Sequence, residues 1–370
     1  MKTIARSKLQ LITFSLVLAL GCLAAQASSN NVGYARSDLV SDLTNIAIHV
    51  DSRLVNPWGI VAGSDSVWVN DNGMGLITAY GPFGSPFRQA IHVPAPGGGA
   101  GAPSGLVLND SHEFRLTNGM FSAASSFLIS TEDGTVAAWN RLITGSNAVI
   151  AVDNSASGAV YKGLAIVRDT NNAPNIYAAD FHNNKVDMFD GQFQFVRSFT
   201  DPDLPDLFAP FNVRNLRGRV LVSFAMQKLP DKHDDQAGPG NGLIDIFDTD
   251  GTLLRRFVST GALNSPWGMA IAPVNFGRFS RALLVGNFGD GRINAFDLLT
   301  GKPLGFLTDG SGNPVAIEGL WGLTFERDEI FDHEDSFFAT RLYFTAGISD
   351  EAHGLMGHLR AISPRAPRAR

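Results

Sequence analysis

A short phrase returns six times along this chain of 370 residues, and the spacing of its copies restricts the fold more than any other feature. It reads NPWGIV at 56–61, APSGLVL at 102–108, VYKGLAIV at 160–167, APFNVR at 209–214, SPWGMAIA at 265–272 and GLWGLTF at 319–325. Glycine stands at 59, 105, 163, 268 and 322, and Asn212 fills its place in the fourth copy. The intervals of 46, 58, 49, 56 and 54 residues suit a unit of several strands rather than a helix pair. After each phrase comes an apolar run (SVWVND, SSFLIST, NIYAAD, RVLVSFA, ALLVGN, RLYFTAG), then a polar loop, then a third run such as KVDMFD, LIDIFD or RINAFD. A fourth run closes most copies, as in FQFVRSF and TLLRRFV. Near-continuous apolar strands of this kind are buried on both faces. Four strands per repeat, arranged radially, predict an all-β fold, the six-bladed β-propeller. The sixth copy lacks its outer strand, whereas YARSDLVSDL near the N-terminus belongs to no copy. That segment is expected to supply the missing strand and close the ring, which removes an exposed edge.

The propeller is expected over 28–360, flanked by two segments of other character. Lys2, Arg6 and Lys8 precede the apolar run LITFSLVLALGCLAA, and Ala25-Gln26-Ala27 has the small-x-small form of a cleavage site. Residues 1–27 therefore read as an export signal, with Ser28 as the mature N-terminus and a periplasmic or secreted destination. The rival reading is lipid attachment at Cys22, but the preceding Ala19-Leu20-Gly21 lacks the usual leucine three places before the cysteine. Cys22 is the single cysteine, so a chain cut after Ala27 has neither disulfides nor thiol catalysis. Residues 361–370, ending in SPRAPRAR, read as a disordered basic tail. A net charge of −6 argues against nucleic-acid binding. No later stretch is apolar enough to cross a bilayer, and a monomer is expected.

The PWG phrase followed by a strand and a glycine loop resembles NHL-type six-bladed propellers. The set NPWGI, YAADFHN, DKHDD-AGPGNG, SPWG-AIAP, LVGNFGDGRINAFD and LWGL-F, spread over about residues 36–360, looks more closely like an exported bacterial propeller family of uncharacterised function. The resemblance implies the fold and brings no activity with it.

In such a blade the loops between second and third strands share one face with the turns that lead into the innermost strands. The polar loops should therefore converge on one mouth of the central channel. They bring Asn70, Asp71, Glu132, Asp180, His182, Asn183, Asp231, His233, Asp234, Asn287, Asp290, Glu351 and His353, and the inner-strand turns add Trp58, Trp267 and Trp321. Two readings compete. Asp and Asn are ordinary hairpin residues, and tryptophan is commonly packing. Against this, His182, His233 and His353 fall in equivalent loops, beside carboxylates that would complete a ligand set for a divalent metal or serve as acid and base near neutral pH. The loop of blade four, DKHDDQAGPGNG at 231–242, is enlarged in that blade alone. Its glycines allow a sharp fold back. The expectation is a partial lid with His233 and Asp234 facing His182 and His353.

Other motifs fail. DTDGT at 248–252 has Ser259 where a calcium loop needs glutamate, and PGGGAGAPSG lacks the Gly-Lys-Ser/Thr of a phosphate loop. Neither G-x-S-x-G nor H-E-x-x-H occurs. Three function classes remain: a small-ligand or metal-binding protein, a metal-assisted hydrolase or lyase at the same mouth, and a protein-interaction scaffold. A concentration of ionisable groups on one face favours the first two, because a scaffold would more naturally show one broad patch on a rim.

Overall fold

The computed structural model describes residues 33–326 and 340–362, and they form a six-bladed β-propeller. The export signal, the lipid alternative at Cys22 and residues 363–370 lie outside the described residues. Blade one runs outward from Pro57–Ala62 through Val67–Asp71 and Leu76–Tyr80 to Ile91–His92. Blade two uses Pro103–Leu108, Phe127–Thr131, Thr135–Trp139 and Val149–Asp153, with an extra hairpin of Arg115–Asn118 and Phe121–Ala124. Blades three, four and five begin at Tyr161–Arg168, Phe208–Leu216 and Pro266–Ile271 and keep the same sequential order of four strands. Every innermost strand is thus a copy of the repeated phrase.

The glycine in that phrase is required by close approach rather than by backbone angle. A Cβ on Gly59 would stand 2.6 Å from the Ser104 carbonyl oxygen, and one on Gly105 would stand 2.7 Å from the Leu164 nitrogen. On Gly163 it would meet Asn212 Cα at 2.5 Å, on Gly268 the Trp321 oxygen at 2.6 Å, and on Gly322 the Trp58 oxygen at 2.5 Å. Each glycine therefore faces the backbone of the next blade, and the sixth returns to the first. Asn212 makes the same step differently: its Nδ2 donates to the Trp267 carbonyl at 2.6 Å. The inner strands bulge at or beside this position, between Pro57 and Ile60, Tyr161 and Leu164, Pro266 and Met269, and Leu320 and Leu323. Side chains from paired blades fill the wedges outside the ring. Ile77 and Ile91 of blade one pack with Phe127 and Ile129 of blade two, and Phe224 and Val213 of blade four with Tyr177 and Val186 of blade three.

The N-terminal strand closes the ring. Tyr34–Ser41 pairs antiparallel with His353–Ala361, from Tyr34 opposite Ala361 to Ser41 opposite Leu355. It is the outer strand of blade six, whose inner members are Leu320–Phe325 and Arg341–Ile348. A short strand, His49–Val50, adds in parallel on its far side. The boundary at 360 needs a small correction. Ala361 belongs to the sheet and the Ile362 amide donates to the Gly33 carbonyl at 2.8 Å, because pairing with the incoming strand extends order to those residues. Tyr34 is buried and anchors the closure in blade five, donating its hydroxyl to the Phe276 carbonyl at 3.1 Å.

Two predictions follow from this geometry. Gly268→Ala should destabilise the protein by about 1–3 kcal/mol through overpacking, whereas Gly63→Ala, whose added carbon would meet nothing nearer than 3.6 Å, should change the melting temperature little. Equal melting temperatures for the two variants would remove the close-approach account. Deleting residues 33–45 should lower the melting temperature of the whole ring, because it uncovers the edge of His353–Ala361 and removes the Tyr34 anchor. An unchanged thermal transition would show that closure contributes nothing.

Candidate functional site

The residue before the repeated glycine points to the axis. It is Trp58, Ser104, Lys162, Phe211, Trp267 and Trp321 in the six copies. Four of these are aromatic and pack together. Trp58 and Trp321 stack with centroids 3.6 Å apart, Trp267 meets both edge-on at 6.0 and 5.7 Å, and Phe288 stacks on Trp321 at 4.0 Å. Trp58, Trp267 and Trp321 are 2%, 4% and 2% exposed, so their faces are turned to each other. They make an apolar floor in the channel. The indole N–H groups of Trp58 and Trp267 are buried without an acceptor among the described residues.

Lys162 occupies the aromatic slot in blade three and is only 1% exposed. Its ammonium contacts Glu132 Oε1, lies 3.6 Å from Asp234 Oδ1, and stands over the rings of Trp58 and Phe181 at 4.9 and 5.9 Å. Burial works against its charge, but Glu132, with Asp234 and Asp235, outweighs burial and holds the Lys162 pKa above its ordinary value. The second Glu132 oxygen accepts from Asn72 Nδ2 at 2.8 Å, which fixes the plane of the carboxylate.

The blade-four loop folds back over this pair. The Lys228 amide donates to the Asp234 carbonyl at 2.8 Å, and the Gln236 amide to the Met226 carbonyl at 2.7 Å. Gln227 Nε2 ties the root of the loop to blade three through the carbonyls of Phe181 and His182, at 2.5 and 3.2 Å. His233 and Asp234 consequently face inward. His233 Nδ1 lies 3.0 Å from Asp234 Oδ1 and 3.9 Å from Glu132 Oε1. The hydrogen bond between them raises the His233 pKa and lowers that of Asp234 to about 2. Asp235, beside them, has a pKa raised by burial, and its Oδ2 has no partner among the described residues. From blade six, Glu351 accepts the Trp321 indole N–H at 3.1 Å. Burial, helped by the charge of Glu132, pushes Glu351 up to about 7.

The other expected residues serve the ring. Asn70 donates to the carbonyls of Ser104 and Gly105 at 3.2 and 2.9 Å, tying blade one to blade two. Asp71 accepts from Thr78 at 2.7 Å within its own blade and has a pKa well above the ordinary carboxylate range, because it is buried. Asp180 accepts from the Val160 amide at 3.1 Å and from Asn183 Nδ2 at 2.8 Å, which shapes that turn. Asn287 donates to the Ala262 carbonyl and to Asp290, at 2.8 and 3.1 Å. Asp231 is exposed on the loop.

The three histidines do not form one ligand set. His353 Nδ1 pairs with Asp42 Oδ2 at 2.6 Å, just past the outer strand of blade six, and the His182 ring lies 3.9 Å from where a Cβ on Gly158 would stand. Among the described residues the metal-competent group is instead Glu132, His233 and Asp234, with one ligand atom from each lying within 4.8 Å of the others. Equivalent loops put residues at equivalent height along the axis, but each side chain finds its own radial direction. Lys162 was missed by motif reading. Its signal was available in the aligned phrases, where lysine stands in a column otherwise filled by tryptophan, phenylalanine and serine.

The raised Glu351 predicts a signed pH dependence. The folded state holds this proton more tightly than the unfolded chain, so the contribution of Glu351 to stability falls as pH rises from about 4.5 towards 7. Glu351→Gln should flatten that window and stabilise the protein at pH 8 by up to about 3 kcal/mol. Denaturant titrations at pH 5 and 8 measure this, and a variant that is less stable at pH 8 would contradict it.

Comparison with known proteins agrees with the fold and adds kinship without an activity. No family model matches the chain, so the resemblance to NHL propellers is not extended. A solved structure of a Bacteroides thetaiotaomicron protein of unknown function matches with a TM-score of 0.53 at 12% identity, covering 88% of this chain and 76% of that one. At that identity the likeness concerns the fold alone. An uncharacterised protein of Acanthamoeba polyphaga mimivirus is 34% identical over 329 residues, covering 87% of this chain and 78% of its own. A second from the same virus is 32% identical over 329 residues, covering 87% and 84%. These relatives are viral, so the expected bacterial family gains no support from them. The chain belongs to the family of these uncharacterised mimivirus proteins.

Proposed function

We propose that the protein binds a divalent cation, alone or carried by a small ligand, at the axial mouth. The observation that carries this reading is the convergence of Glu132, His233 and Asp234, whose ligand atoms lie within 4.8 Å of one another. They come from two blades and meet above an apolar aromatic floor. One imidazole nitrogen and two carboxylate oxygens suit a borderline or hard dication, and three protein ligands leave further positions for water or a ligand oxygen. The surrounding charge has the right sign. Glu132, Asp234, Asp235 and Glu351 face one lysine and one histidine.

Calorimetric titration with Mn2+ and with Zn2+ tests the reading. The wild type should bind one ion, and His233→Ala should weaken it by about tenfold or more. Because the His233 side chain is 43% exposed and buries little apolar surface, this substitution should change the melting temperature little. Glu132→Gln should also weaken the ion, at the additional cost of leaving Lys162 buried without its counter-charge. Binding of equal strength in wild type and both variants would exclude this group as the site.

A further inference from the structure

Resting on the reading of the mouth as a cation site, we infer that Lys162 is a built-in competitor for the ion, and that its ammonium must withdraw for the ion to enter. The two carboxylate oxygens nearest His233 Nδ1, Glu132 Oε1 and Asp234 Oδ1, are the two approached by Lys162 Nζ. An ion held by the imidazole and both carboxylates would use oxygens that the ammonium now occupies. Glu132 cannot readily turn to serve both, because its other oxygen is held by Asn72 at 2.8 Å. The lysine is therefore the part that moves, and the rings of Trp58 and Phe181 beneath it offer a cation–π surface to receive it.

The slot itself shows that the charge is not needed for packing. Four of the other five copies place tryptophan or phenylalanine there, and Ser104 fills the fifth. A buried lysine in this column gives the unliganded mouth a cation that keeps Glu132 and Asp234 from repelling each other. It also makes the site selective by charge. A monovalent ion offers those oxygens no more charge than the ammonium already does, whereas a dication offers twice as much. Lys162 is thus a specificity-determining residue rather than a ligand.

Mn2+ binding to the full chain, measured by calorimetry for wild type, Lys162→Met and His233→Ala, tests the inference. Lys162→Met should bind Mn2+ about tenfold more tightly than wild type, and added K+ should compete with Mn2+ in that variant alone. Equal or weaker binding by Lys162→Met, with binding still lost in His233→Ala, overturns the role of Lys162 and leaves the cation site standing. Absence of binding in all three proteins overturns the site and the inference together. A wild-type measurement covers the case in which Lys162→Met does not fold. In a crystal of the wild type soaked in Mn2+, the contact between the Lys162 ammonium and Glu132 should be broken. An intact contact beside bound Mn2+ overturns the inference.

Discussion

The close passage of each innermost strand over the next is the interaction from which the rest of the structure follows. A propeller of this kind can have its inner strands in contact only where one of them lacks a side chain, and the repeated glycine provides that gap in five of six blades. The fourth blade substitutes a hydrogen bond from Asn212 for bare contact. With the inner ring drawn tight, the residue before the glycine turns to the axis, and the aromatic members of that column plug the channel. The plug gives the mouth an apolar floor. Polar groups placed above it act in a medium where charges interact more strongly than in water.

That floor explains why one lysine dominates the electrostatics of the mouth. Its cost of burial is met by Glu132 and, more weakly, by Asp234, while burial raises the pKa values of Asp235 and Glu351. The carboxylates buried inside the blades behave differently. Asp71 and Asp180 also have raised pKa values from burial, but they are spent on hydrogen bonds within and beside their own turns. High pKa alone does not separate the two groups. Convergence of several blades on one point does.

The ring and its closure were legible in the sequence because both depend on backbone geometry that repeats. Glycine at a fixed place in each phrase, and an unpaired N-terminal strand facing an incomplete sixth blade, are one-dimensional signals. Much of the mouth was not legible, because loop position fixes height and leaves radial direction open. His353 sits in the expected loop yet turns to Asp42, and Asn70 turns sideways into the next blade. His233 turns inward because the backbone of its loop folds back on Met226 and Lys228, a bond pattern that no motif announces. Lys162 was hidden for another reason: a lone lysine in an apolar phrase reads as an irregularity until the copies are aligned by their glycines.

The central claim is that the axial mouth holds a dication at the place now taken by the Lys162 ammonium. A crystal structure of the protein soaked in Mn2+, with anomalous differences collected near the manganese edge, tests it most directly. The account predicts a peak bounded by Glu132, His233 and Asp234, with the Lys162 amine displaced towards Trp58 and Phe181. Manganese density elsewhere, with Lys162 still seated on Glu132, would contradict it.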